Sequence, residues 1–353
     1  MANIVLSLIL SVVSIVLSAT LLYFMLRKNS LKRLKKKNDK GERWATQTKP
    51  IFGGVIFFAA FLLSIFISFI FTKVPIFEVS IIVLCVALAF FMGFWDDTKN
   101  SHPMGKFLVQ LLIALILILS DIYIKVSPNP IINYSLTIFW VVSLMNSLNM
   151  LDNMDAITAS VSATIVFSLI FYDVVVLDSI NYFTFLLIGV FGALLAFLFW
   201  NWNPSKLYMG DNGSQFIGAF LAIAGILYFW KPSTLSVDPA NIKEVFIIIL
   251  AFIVPISDTA TVTINRLLVG KSPFVGDRNH TTHNLFYLGL SEKAVALLLI
   301  SISVLGNILA IYLIQTDKIF GLSSIVLFSI VTLVIFLSLY LTTKIKKNQR
   351  AYA

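Results

Sequence analysis

Charge is scarce in this chain of 353 residues: Asp, Glu, Lys and Arg make up 12% of it, 59% is hydrophobic, and the mean hydropathy is +0.94. A soluble domain carries roughly 25% charged residues, so a soluble enzyme is excluded and an integral membrane protein is read instead. Cysteine is almost absent. The single Cys85, in an apolar run, excludes an intramolecular disulfide and any cysteine-type zinc site. Histidine occurs only three times, as His102, His280 and His283, which leaves little for a dedicated zinc centre. Long polar stretches are missing too. The most extended is 27–50, so neither a soluble domain nor an internal repeat is expected. The first apolar run has no basic stretch before it and no small-residue cleavage site ahead of the basic block, so it is read as a retained helix.

What is abundant is apolar sequence. Runs near the roughly 20 residues needed to span a bilayer fall at 3–26, 51–72, 77–95, 107–124, 132–150, 157–177, 183–200, 215–230, 245–267, 294–314 and 321–343. Backbone polar groups in lipid must be satisfied within the segment or in a closed barrel. Runs this continuous therefore predict an all-α polytopic protein of about eleven transmembrane helices, one catalytic domain over 1–353. Of the 26 Lys and Arg residues, 21 fall in 27–50, 95–106, 201–214, 266–293 and 344–353; the other five are Lys73, Lys125, Lys231, Lys243 and Lys318. The excess of positive charge on cytoplasmic loops then puts the N-terminus outside and the C-terminus in the cytoplasm. The block "RKNSLKRLKKKNDKGER" suits anionic lipid headgroups rather than nucleic acid.

In this topology every segment rich in acids, amides or histidines lies on the cytoplasmic side, in the loops 27–50, 95–106, 147–156, 201–214 and 268–293. The opposite loops show turn residues and scattered charges. In "GFWDDTKN", Asp96 and Asp97 follow an apolar run directly, and neighbouring carboxylates call for a cation or proton between them. In "NSLNMLDNMDAIT", Asn146, Asn149, Asp152 and Asp155 recur every third residue, one stripe if the segment is helical. In "YMGDNGS", Asp211 stands between Gly210 and Gly213. It is a candidate oxygen ligand for Mg2+, which takes one or two carboxylates plus substrate phosphates, and the first amides of the next helix could hold phosphate oxygens. In "KSPFVGDRNHTTHN", Arg278, His280 and His283 suit contacts to phosphate. Asp258, beside Pro255, reads as a structural acceptor or part of the site wall.

Together these motifs, from "KPIFGG" at 49–54 to "HTTHNL", resemble the polyprenyl-phosphate N-acetylhexosamine-1-phosphate transferase family (glycosyltransferase family 4), and most closely its N-acetylglucosamine branch. The resemblance implies transfer of a sugar 1-phosphate from a UDP-sugar to a membrane polyprenyl phosphate such as undecaprenyl phosphate, with Mg2+ (or Mn2+), releasing UMP. It implies catalytic roles for Asp96, Asp97, His280 and His283, and substrate binding by Lys106, Asn149, Asp155 and Arg278. It also implies metal binding by Asp211 and Asp152. The implied location is the bacterial cytoplasmic membrane, with the site on its cytoplasmic face, at the start of cell-envelope glycan synthesis. A homodimer is compatible with it. Four positions depart from the pattern, among them Lys99, which stands one place earlier than the family's usual basic residue after the paired acids. Asn153 and Ala156 stand where the family has glycines after the two acids of its Asn-x-x-Asp-Gly-x-Asp-Gly element, and Thr282 replaces a loop histidine. The alternative from another class is a lipid or ion transporter with a cytoplasm-facing acidic site.

Overall fold

The computed structural model describes residues 2–27, 49–99, 101–230, 242–271, 280–316 and 321–345, all on one chain. Among these residues the structure is helical, apart from one isolated parallel bridge between Ile51 and Tyr208. The helices are α1 (Ala2–Arg27), α2 (Gly53–Phe71), α3 (Ile76–Lys99), α4 (Pro103–Leu119), α5 (Pro130–Leu151), α6 (Ile157–Phe171), α7 (Tyr182–Asn201), α8 (Gly210–Tyr228), α9 (Ile242–Ala251), α10 (Ile253–Leu268), α11 (Thr281–Tyr287), α12 (Glu292–Gln315) and α13 (Leu322–Thr342). A π-helical turn, Tyr172–Val176, ends α6.

Each apolar run of the sequence forms helix, but the runs are not equivalent. Among the described residues eight helices are long and apolar enough to cross a membrane, or nine if one bent pair counts as a span, which supports a multi-pass membrane protein. Pro103–Leu119 is short, and α8 opens with the polar residues Gly210–Ser214. In α1 and α13 few residues are buried, and large apolar side chains such as Leu8, Val12, Ile330 and Leu333 stand exposed. At the centre sits α8, nearly wholly buried and packed on α2, α3 and α5.

The run expected to span at 245–267 is instead two helices, α9 and α10, meeting at 87°. Pro255 has no N–H, so the carbonyl four residues earlier, that of Ala251, loses its helical donor. The Asn307 side chain on α12 replaces it, donating to Ala251 O at 3.2 Å. Gly306 makes this approach feasible, because a Cβ there would lie 2.3 Å from Leu250 O.

One further close approach places the site. Gly93 of α3 lies against the first turn of α8, and a Cβ on it would come within 2.3 Å of Asp211 O. Gly93→Ala should therefore force α3 and α8 apart and destabilise the protein by about 1–3 kcal/mol, the usual penalty of overpacking. Thermal unfolding in detergent measures this.

Candidate active site

Asp96 and Asp97 are adjacent in sequence but do different things. Consecutive residues of an α-helix point about 100° apart, so the two carboxylates leave α3 in different directions. Asp96 is 4% exposed. Its Oδ1 accepts from the backbone N–H and hydroxyl of Ser101 at 2.8 and 2.7 Å, and its Oδ2 lies 2.6 Å from Lys106 Nζ. The same ammonium lies 2.6 Å from Asp211 Oδ2. One cation, in the first turn of α4, thus bridges a carboxylate from α3 and one from α8. His102 begins α4 by accepting from Met104 N at 3.2 Å, a capping role.

Asp97 faces α8 instead. Its Oδ1 accepts from Asp211 N at 3.1 Å, and its Oδ2 from Asn212 N at 3.0 Å and Asn212 Nδ2 at 2.7 Å. Met209, before α8, supplies no side-chain cap. The carboxylate of α3 takes that place, where the helix dipole favours negative charge. The expectation that these first amides hold phosphate is corrected: Asp97 occupies two of them, because a carboxylate fixed on the neighbouring helix needs no recruitment from solution.

The acidic stripe of residues 146–155 is also corrected. Helix α5 ends at Leu151, with Asp152 as its C-cap, so only Asn146 and Asn149 share a helical face. Asn149 donates to Ser214 Oγ at 2.9 Å, tying α5 to α8. Asp155 does not align with Asn149. Its two oxygens accept from Ser205 N at 3.0 Å and Ser205 Oγ at 2.8 Å, and Lys49 Nζ donates to Ser205 Oγ at 2.9 Å. Ala156, at a family glycine position, has φ +68° and donates its N–H to Asn201 Oδ1 at 2.9 Å. A left-handed backbone strains an L-residue by roughly 1–2 kcal/mol, and glycine gives back part of that in chain entropy. Ala156→Gly should therefore raise stability by about 0.5–1 kcal/mol, read as an upward shift of the thermal unfolding midpoint.

His280 and His283 stand at the start of α11, both buried, their rings edge to face at 5.7 Å. Asp258, buried in α10, holds this segment: its Oδ2 is 3.0 Å from His280 Nδ1, and its Oδ1 accepts from Thr281 N at 2.9 Å. Of the two roles left open for Asp258, the structure assigns the acceptor that orients His280. Thr282 and Asn153, two of the departures from the family pattern, touch each other: Thr282 Oγ1 donates to Asn153 Oδ1 at 2.5 Å. This bond joins the loop after α5 to the histidine segment. Arg278 lies outside the described residues.

Of the site residues expected from the sequence, all those described except Asp97 converge on one cavity of about 1360 Å³. Its polar end is lined by Asp96, Lys106, Asn149, Asp152, Asp155 and Asp211, with His280 and His283 beside them. Its other part is apolar and runs between α5 and the bent pair α9–α10, past Phe139, Trp140, Ile248 and Ile264. Phe139 is 68% exposed on the outside of the bundle and Val245, another lining residue, 43%, so the apolar part opens sideways. Residues not singled out from the sequence also line it, notably Arg266 in the last turn of α10, and Gln110. Arg266 carried a readable signal, a charge near the end of an apolar run, whereas Gln110 inside its run carried only its polarity.

A second polar cluster lies at the far end of α6. Asp173, in the π-helical turn, accepts through Oδ2 from Thr184 Oγ1 at 2.6 Å, Tyr228 OH at 2.7 Å and Asn181 Nδ2 at 3.4 Å. The loops read as holding only scattered charges therefore contain a buried carboxylate that ties α6, α7 and α8 together.

Among the described residues no three His, Cys, Asp or Glu side chains gather closely enough to hold a metal by themselves. Asp96 and Asp211 nevertheless converge on one cation, the Lys106 ammonium. Two carboxylates are the donor set Mg2+ takes alongside phosphates. The residues fit a metal shared with substrate, not one held by protein alone.

Comparison with known proteins places the chain among membrane-lipid sugar-phosphate transferases by similarity. Residues 79–229 match the model of glycosyl transferase family 4, a stretch that includes Asp96, Lys106, Asp152 and Asp211. A probable undecaprenyl-phosphate N-acetylglucosaminyl 1-phosphate transferase of Bacillus subtilis (strain 168) is 27% identical over 277 residues, 75% of this chain and 73% of the relative. The decaprenyl-phosphate N-acetylglucosaminephosphotransferase of Mycobacterium tuberculosis (strain ATCC 25618 / H37Rv) is 26% identical over 282 residues, 71% of this chain and 68% of the relative. The phospho-N-acetylmuramoyl-pentapeptide-transferase of Staphylococcus epidermidis (strain ATCC 12228 / FDA PCI 1200) is 30% identical over 227 residues, 57% of this chain and 69% of the relative. On these matches, and with Asp96, Asp211 and the two histidines drawn to one cavity, the chain belongs to glycosyl transferase family 4.

Proposed function

We propose that this protein transfers N-acetylglucosamine 1-phosphate, or a closely similar N-acetylhexosamine 1-phosphate, from its UDP conjugate to a polyprenyl phosphate such as undecaprenyl phosphate. The reaction releases UMP and starts a cell-envelope glycan, at the cytoplasmic face of the bacterial cytoplasmic membrane. The observation that carries this reading is the two-part cavity: a charged head under the helix ends, continuous with an apolar body open between α5 and α9–α10. A soluble nucleotide diphosphate suits the head, and a lipid phosphate with a long hydrocarbon tail suits the whole. The names of the relatives support the same substrate classes. They do not favour the transporter alternative.

The chemistry needs positioning and charge neutralisation more than a strong base. A phosphate monoester has its second pKa near 6, so the lipid phosphate arrives with a nucleophilic oxygen already deprotonated. That oxygen attacks the phosphorus bearing the sugar; its bond to the bridging oxygen breaks, and the electron pair leaves with UMP. Asp97, already engaged by three donors of α8, is not required as a base in this scheme. Lys106 offers its ammonium to the diphosphate, His280 is held by Asp258 to donate to phosphate oxygen, and Asn149 and Asp155 line the nucleotide side. Mg2+ (or Mn2+) held by Asp96 and Asp211, with Asp152 on the same cavity wall, would neutralise charge on the diphosphate.

The test is incubation of the purified protein with labelled UDP-N-acetylglucosamine and undecaprenyl phosphate, with Mg2+ or with a chelator. Release of UMP and a labelled lipid, both lost with the chelator, is the expected result. No UMP from any UDP-N-acetylhexosamine would overturn the reading.

A further inference from the structure

One helical turn below the charged cluster lies a layer of three side-chain amides. Gln110 Nε2 donates to Asn146 Oδ1 at 3.3 Å and to Gln215 Oε1 at 3.2 Å, and Asn146 Nδ2 donates to Gln110 Oε1 at 2.8 Å. Gln110 and Gln215 are each 1% exposed. Each amide repeats a residue of the site above it. Gln110 follows Lys106 by four positions on α4, Gln215 follows Asp211 by four on α8, and Asn146 precedes Asn149 by three on α5. Such spacings place the members of each pair on one helical face. The three helices that carry Lys106, Asp211 and Asn149 are thus joined to one another directly beneath those residues.

Helix α4 packs against α3 and α5. Its links to α8 are side-chain contacts, Lys106 to Asp211 above and Gln110 to Gln215 below. These bonds are directional, and Gln110 and Gln215 are buried, so the three amide bonds form together in one relative setting of the three helices. A slip of one residue would move α4 by about 1.5 Å and turn its face by about 100°, breaking every bond in the layer. The same slip would take the Lys106 ammonium away from both carboxylates.

We propose that Gln110 is a positioning residue: by its amide bonds to Asn146 and Gln215 it sets the register of α4 that holds Lys106 between Asp96 and Asp211. This rests on the transferase reading for its kinetic consequence, but not for its geometry. Misplacement by about 1 Å can lower turnover roughly 100-fold without loss of binding contacts.

Two measurements test it. Gln110→Leu keeps bulk and removes the hydrogen bonds, and Gln215→Leu removes one of them from the other side should the first variant fail to fold. In UMP release from UDP-N-acetylglucosamine and undecaprenyl phosphate, measured well below the lowered unfolding midpoint of each variant, kcat should fall about 10- to 100-fold with both KM values held. For the second, spin labels at Met104→Cys and Lys206→Cys, both exposed positions, report the setting of α4 against the loop that leads into α8. The buried Cys85 is replaced by Ala in that background. The parent should give a narrow distance distribution, and Gln110→Leu or Gln215→Leu a broadened or displaced one. Unchanged distances in the variants overturn the proposal, whether turnover survives or is lost. A parent that releases no UMP would sink the transferase reading alone, and the distance measurement would still decide the role of Gln110.

Discussion

Lys106→Met should abolish turnover, with kcat falling by at least about 1,000-fold, the upper range for removal of one charge-stabilising donor. It should also lower stability in metal-free detergent by about 3 kcal/mol, the penalty for leaving a buried charge without its partner. The reason is geometric. The ammonium is 2.6 Å from both Asp96 Oδ2 and Asp211 Oδ2. Methionine preserves the length of the apolar stem but leaves two carboxylates facing each other with no cation between them. Millimolar Mg2+ should recover most of the lost stability in Lys106→Met and change the substrate-free parent far less, since there the Lys106 ammonium bridges both carboxylates until a diphosphate draws it away. UMP release and thermal unfolding with and without Mg2+ measure both effects. A variant that Mg2+ leaves no more stable would show that the carboxylates do not form a divalent-cation site.

The second large effect is expected at Asp97. Asp97→Ala removes the acceptor for two backbone N–H groups and for the side-chain amide of Asn212, itself 2% exposed. Each buried donor left unsatisfied costs about 1–3 kcal/mol, so a loss of about 3 kcal/mol or more is expected. Asp97→Asn keeps one acceptor oxygen but turns an N–H2 group towards donors, and should fall between the parent and the alanine variant. Because the first turn of α8 carries Asp211, activity should fall in step with stability across the series. If turnover is lost while the unfolding midpoint stays put, Asp97 acts on substrate and the anchoring role is wrong.

Much of the architecture was legible because hydrocarbon permits few solutions. The apolar runs all form helix, and the acidic and histidine-bearing motifs, far apart in the chain, meet at one end of the bundle. What could not be read was the direction in which individual side chains act. Asp96 and Asp97 look like one unit in sequence, yet helical geometry sends one to Lys106 and the other to the amides of α8. The recurrence of polar residues from Asn146 to Asp155 suggests a continued helix, but the chain turns after Leu151, and Asn153 Nδ2 bonds back to Met150 O at 2.9 Å. Pro255 was visible inside its run. Whether a proline merely kinks a helix or breaks it depends on what receives the freed carbonyl, and here that is Asn307 on a later helix. Asp258 likewise gave no local sign of its partner, since the pairing with His280 exists only once α10 and α11 are in place.

The sideways opening between α5 and the angled pair α9–α10 has a kinetic consequence. A hydrophobic co-substrate that slips in from the surrounding leaflet never has to be extracted into water. The supply that governs its rate is its mole fraction among neighbouring lipids, not its amount per litre. Diluting vesicles with buffer should leave the velocity per protein unchanged at saturating nucleotide. Diluting the same vesicles with inert phospholipid should lower it.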